Sequence, residues 1–80
     1  MNIYETAHQA ACPNGDLMDT YKITIRSQST IMAEEILRTL NETPPEIYQE
    51  SLATFLRAKL GAEVTVEGWH HGIKITSIRL

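Results

Sequence analysis

The run TYKITIR, residues 20 to 26, alternates without a break. Tyr21, Ile23 and Ile25 fall on one side of an extended chain, and Lys22, Thr24 and Arg26 on the other. Successive side chains of a strand point to opposite faces, so the run predicts a half-buried strand lying against a core. Two later segments carry the same period. In AEVTVEG, residues 62 to 68, Val64 and Val66 point inward; in IKITSIRL, residues 73 to 80, Ile73 and Ile75 share a face.

Between these strands the period becomes helical. Met32, Ile36 and Leu40 recur every fourth residue, SQST at 27–30 offers caps, and Asn41 is a stop. In TPPE, residues 43 to 46, Thr43 can cap, Pro44 suits the first helical position and Glu46 completes a capping box. The second helix carries Tyr48, Leu52, Phe55, Leu56 and the stem of Lys59 on one stripe, and Gly61 ends it as a left-handed residue. WHHG, residues 69 to 72, reads as a turn. Residues 2 to 11 fit either a strand or a short helix. The order is strand, helix, helix, strand, strand, which becomes ββααββ if residues 2 to 11 are extended. Residues 1–80 read as a single α+β domain without repeats or linkers.

A chain of 80 residues buries a limited core, and here no cysteine pair or Cys/His cluster staples it. Oligomerisation is the natural way to bury more surface. Hydrophobic residues make up 42% of the chain, which argues against disorder. The net charge is −3 and the seven basic residues are scattered, so the basic patch that nucleic acid binding needs is not indicated. No apolar run reaches membrane-spanning length and no signal peptide opens the chain, while a lone cysteine suits a reducing compartment. The expectation is a cytoplasmic protein with neither a membrane nor a nucleic acid as partner.

Five residues are candidates for chemistry. Cys12 lies just before a Pro-Asn-Gly turn, where a thiolate would be open to a substrate; a small buried hydrophobe is the alternative. Asp19 follows at a strand entrance, placed to give or take a proton or simply to cap. Asp16, in the same loop, reads as a turn residue. Glu50 lies early in the second helix, opposite its apolar stripe. It is either a solvated glutamate or part of a pocket completed by another subunit. His70 and His71 are neighbours, and neighbours on a strand face opposite sides, so with His8 remote no metal site is expected.

Two stretches carry a family resemblance. CPNGDLMD, residues 12 to 19, resembles the Cys-Pro…Asp signature of the nitrile reductases of queuosine biosynthesis, with cysteine and aspartate at the same separation. YQESLATFLRAKLGAEVTVEGWHHGIKI, residues 48 to 75, is similar to the second half of a tunnelling-fold (T-fold) subunit, as in those reductases and in type I GTP cyclohydrolases. The resemblance runs from about residue 3 to residue 78. It implies that residues 2 to 11 form a strand. It implies an antiparallel sheet with two helices on one face, and subunits that join into a β-barrel with sites at their interfaces. Glu50 would then anchor a purine or pterin ring, since a carboxylate accepts two parallel N–H groups. Cys12 would add to the nitrile carbon of 7-cyano-7-deazaguanine to form a thioimide, with Asp19 as proton donor. His70 and His71 would join substrate binding.

The departures narrow the chemistry. The region entering the first helix reads SQSTIMAEEI and lacks the basic residue of the reductases' NADPH motif, so no cofactor is assigned and NADPH would need another route. Gln49 replaces the histidine that precedes the anchoring glutamate in the reductases. Gly15 and Gly72 stand where cyclohydrolases have zinc ligands, so zinc-dependent opening of GTP is not expected. A related branch without the NADPH motif resolves the thioimide with ammonia on a transfer RNA base, and this chain is closer to that inventory. A free base or nucleoside fits a net charge of −3 better than transfer RNA. The expectation is an enzyme of 7-deazaguanine metabolism, reducing or aminating a nitrile. The alternatives are a non-catalytic T-fold that assembles or inhibits, or a pterin-binding or cyclohydrolase-like protein. An RNA-binding KH-type domain would need a Gly-X-X-Gly loop between its helices, and NETPPE has no glycine.

Overall fold

The computed structural model describes residues 1–15 and 17–80; Asp16, read above as a turn residue, lies outside the described residues. The elements follow the order β1 (Asn2–Ala11), β2 (Met18–Ser27), α1 (Ala33–Asn41), α2 (Gln49–Leu60), β3 (Glu63–His70) and β4 (Ile73–Arg79). The strands form one sheet in the order β1-β2-β3-β4, and every neighbouring pair is antiparallel. This is the ββααββ arrangement.

Residues 2 to 11 are a strand because β2 provides a partner along their whole length, from Asn2 opposite Ser27 to Ala11 opposite Met18. Residues directly opposite share a face, so Tyr4, Thr6 and His8 lie beside Ile25, Ile23 and Tyr21. Thr6 and His8 interrupt the apolar pattern, which is why local periodicity leaves this segment open.

The core forms where the strand faces meet the helices. Tyr21, Ile23 and Ile25 of β2 and Val64 and Val66 of β3 are fully buried. They join one cluster with Ile36 and Leu40 of α1 and Leu52, Ala53 and Leu56 of α2. Both helices therefore cover one face of the sheet. Full burial of each large aliphatic side chain contributes about 1.5–3 kcal/mol. The helix α2 ends at Gly61 in the left-handed conformation, as its position predicts.

Several local expectations are corrected. The SQST segment does not cap α1: its N-cap is Met32, with no side-chain cap bond, and Met32 is exposed. Ile31 takes the buried place instead, held where the Tyr4 hydroxyl accepts its N–H at 2.9 Å. The TPPE segment does not start α2, whose first residue is Gln49 after an N-cap at Tyr48. Thr43 and Pro44 each precede a proline, and a residue before proline is pushed out of the helical region. The Thr43 hydroxyl donates instead to Thr39 O at 3.3 Å, at the end of α1. Tyr48 leaves the apolar stripe and is exposed, as is Ile73 at the start of β4. Finally, Trp69 and His70 belong to β3, and the turn is only His71-Gly72, both at positive φ. Two such residues give the tight hairpin turn whose twist matches the strands.

Among the described residues, no helix is long and apolar enough to cross a membrane.

Candidate active site

The site forms where the β1–β2 loop, the start of α2 and the β3–β4 turn meet. Cys12 leaves β1 and its carbonyl accepts the Gly15 N–H at 3.0 Å. That closes a β-turn with Pro13 in the position its fixed φ favours. The segment before α2 then runs beside the end of β1. Ala11 N–H donates to Pro45 O at 2.9 Å, Ile47 N–H donates to Ala11 O at 3.0 Å, and Ala11 bridges Glu46 in parallel. The Tyr48 hydroxyl donates to Asn14 Oδ1 at 3.1 Å. The cysteine loop and the residues around Glu50 are thus bound together through the main chain.

Two adjoining clefts result. One, of about 300 Å³, is lined by Cys12, Asn14, Asp19, Trp69, His70 and His71, among others. The other, of about 240 Å³, is lined by Cys12, Tyr48, Gln49, Glu50, His70 and His71, among others. All five residues singled out in the sequence line this pair of clefts. Cys12, His70 and His71 are common to both, Asp19 belongs to the first and Glu50 to the second. Cys12 is half-buried and free, and Glu50 is exposed, with its carboxylate in none of the ion pairs among the described residues. The groups of His, Cys, Asp and Glu among the described residues include no set of three arranged to hold a metal ion.

Asp19 is held through one oxygen. It lies two residues before Tyr21 on β2, and so on the same face. The Tyr21 hydroxyl donates to Asp19 Oδ2 at 3.3 Å, and His70 Nδ1 lies 3.9 Å from the same oxygen. Burial, then the neighbouring charge of Asp19 and the hydrogen bond to it, with smaller contributions from Cys12 and Glu50, push the Tyr21 phenol up to about 12. At neutral pH Tyr21 is therefore a protonated donor to Asp19. Its ring also packs near His70, with centroids 6.0 Å apart.

Gln49, the first residue of α2, is 2% exposed and braces His70 from the other side. Its Nε2 lies 2.9 Å from Val66 O, 2.8 Å from Ile75 O and 3.2 Å from Ser77 Oγ. Its Oε1 lies 2.9 Å from His70 Nε2. The space for this arrangement depends on Gly68. A Cβ there would lie 2.7 Å from the Tyr21 ring and 2.9 Å from Gln49 Oε1.

Sequence reasoning gave no role to Gln49, Tyr21, Tyr48 or Asn14 in the site. Tyr21 carried a readable signal, since period two places it on the face of Asp19. The bond between Tyr48 and Asn14 joins residues far apart in the chain and had none.

No protein-family model matches the chain, and no curated protein sequence matches it. Among solved structures it is similar to the crystal structure of the archaeosine synthase QueF-Like in the apo form. The TM-score is 0.85 at 19% sequence identity, over 98% of this chain and 89% of that one. This chain has the fold of that synthase. The T-fold subunit implied by the sequence resemblance is therefore the architecture observed, down to the strand at residues 2 to 11.

Proposed function

We propose that the protein binds a 7-cyano-7-deazaguanine-type base and that Cys12 attacks its nitrile. One observation carries this reading: Cys12 and Asp19 line one cleft, Glu50 lines the cleft beside it, and the two share Cys12. That adjacency supports a nucleophile in Cys12 and, beside it, an anchor for the ring in Glu50. The likeness in fold to an archaeosine synthase supports the same reading. Glu50, the exposed second residue of α2, accepts two N–H groups of the guanine-like edge. His70 and His71 flank the bound ring.

The first step balances within the site. The Cys12 sulfur bonds to the nitrile carbon as one π bond of the nitrile opens. Asp19 takes the thiol proton and delivers it to the nitrile nitrogen, giving a thioimide. Ammonia then adds to the thioimide carbon and the C–S bond breaks, which returns the thiol and leaves an amidine. Discharge by ammonia is favoured over hydride because residues 27 to 36, entering and opening α1, contain no basic side chain for a dinucleotide phosphate. The reading includes a homo-oligomer in the cytoplasm, with the open clefts completed at the interface.

Intact-protein mass spectrometry after mixing with 7-cyano-7-deazaguanine tests it. A mass increase of one base that disappears in Cys12→Ala is the expected result. No adduct on a folded, base-binding protein would leave a T-fold that binds without this chemistry.

A further inference from the structure

We infer that Gln49 is a positioning residue: it fixes His70 as the Nε2–H tautomer and makes Nδ1 the ring atom that faces Asp19. The Gln49 amide nitrogen lies 2.9 and 2.8 Å from the main-chain oxygens of Val66 and Ile75. Carbonyls do not donate, so the NH₂ end of the amide must be the end that meets them. Both of its hydrogens are then engaged. The opposite end, Oε1, faces His70 Nε2 at 2.9 Å, and an amide oxygen only accepts. His70 Nε2 must therefore carry a hydrogen.

Burial makes this orientation costly to reverse. Gln49 is 2% exposed, so water does not replace the lost partners. Turning the amide over would bring its oxygen against two carbonyl oxygens, and each buried group left without a partner costs about 1–3 kcal/mol. Tyr21, on β2, packs beside the His70 ring, and Gly68 is the one residue type that admits the Tyr21 ring and Gln49 Oε1 together.

The consequence falls on Asp19. With Nε2 protonated, Nδ1 is the only ring atom left for proton exchange, and it lies 3.9 Å from Asp19 Oδ2. The Tyr21 hydroxyl donates to that same oxygen. Hydrogen bonds thus run from two main-chain carbonyls through Gln49 to His70, and a gap of 3.9 Å separates the ring from the carboxylate, whose Oδ1 takes no part in these contacts. The titratable side chains around the ring are Asp19 and Tyr21 from β2, Cys12 from the loop, Glu50 from α2 and His71 from the turn. The chemical meaning rests on the proposed function: Asp19 moves the thiol proton, and Nδ1 of His70, left bare by Gln49, is the acceptor turned toward the Asp19 carboxyl group while it carries that proton.

The test is ¹⁵N NMR of the histidine rings without any base present, with His70 assigned from His70→Gln. At a pH where the ring is neutral, wild-type protein should show His70 Nε2 as the N–H nitrogen and Nδ1 as the bare one. The folded variant Gln49→Met should lose this purity and show both tautomers. A bare Nε2 in the wild type overturns the inference, and so does a folded Gln49→Met that keeps the single tautomer. If Gln49→Met does not fold, the wild-type spectrum alone decides. Because no base is present, failure of the Cys12 adduct would leave this result standing. Where the adduct forms, Gln49→Met should slow it roughly 10–100-fold at saturating base. An unchanged rate would remove Gln49 from the positioning role.

Discussion

The carbonyl of Ala11 accepts the N–H of Ile47 at 3.0 Å, one residue before Cys12 and shortly before the helix that carries Glu50. With the return bond from Ala11 N–H to Pro45 O, this short parallel pairing sets the distance between the loop of Cys12 and the helix of Glu50. It is built from main-chain groups, so side-chain substitutions in the site should leave the frame in place. The variants below rely on that separation.

Gly68→Ala should destabilise the protein by about 1–3 kcal/mol, the usual cost of forcing extra volume into a packed site. The added methyl meets the Tyr21 ring at 2.7 Å, and that ring is fully buried and cannot swing out to solvent. Urea denaturation measures the loss. A stability equal to that of the wild type would mean that Tyr21 and Gln49 are less closely fitted than the structure shows.

Tyr21→Phe should remove the tyrosine that ionises last. The Tyr21 phenol is pushed up to about 12 from an ordinary value of 10.0, first by burial and then by Asp19. A folded-state value above the unfolded one gives a stabilisation that is complete below pH 10 and is lost as pH rises towards 12. An ultraviolet titration should show one of the three tyrosines ionising last, and that step should vanish in the variant. Loss of the hydroxyl should also cost about 1 kcal/mol at neutral pH through the bond to Asp19.

Glu50→Gln should weaken binding of the guanine-like base by roughly tenfold or more, since hydrogen bonds to a charged acceptor contribute about 1.5–3 kcal/mol. One acceptor oxygen becomes a donor that opposes the ring's N–H groups. Stability should hardly change, because Glu50 is exposed. Calorimetric titration with the base decides it, and unchanged affinity would take Glu50 out of the site.

His8 should make the fold less stable in mild acid. Partial burial on β1, opposite Tyr21, lowers its imidazole below the ordinary 6.5. The neutral ring is favoured in the folded state, so the unfolded chain takes up a proton first as pH falls. The stabilisation is complete above about 6.5 and diminishes below it until the folded form also titrates. Thermal melts at pH 7.5 and pH 5 should show a smaller drop for His8→Gln than for the wild type.

Some features were legible because they are local. Period two alone placed Tyr21, Ile23 and Ile25, and Val64 and Val66, on buried faces, and Gly61 marked the end of α2. The start of α2 was also written locally: the pair Pro44-Pro45 excludes a helix at the point where the capping pattern suggested one. Cys12, Asp19, Glu50, His70 and His71 could be named as candidates from residue type, spacing and resemblance. Their meeting could not be read from any one stretch, because it needs the hairpin of β1 and β2, the docking of Ile47 on Ala11 and the return of β3 beside β2. Residues 2 to 11 became a strand only through pairing with β2, since their own pattern fits two periods. Gln49 and His70 are 21 residues apart, and Gln49 acquires its role only where Val66 and Ile75 present their carbonyls to it. Periodicity reports which side of an element is apolar; which polar atoms meet across elements is settled by packing, where each buried donor must find an acceptor.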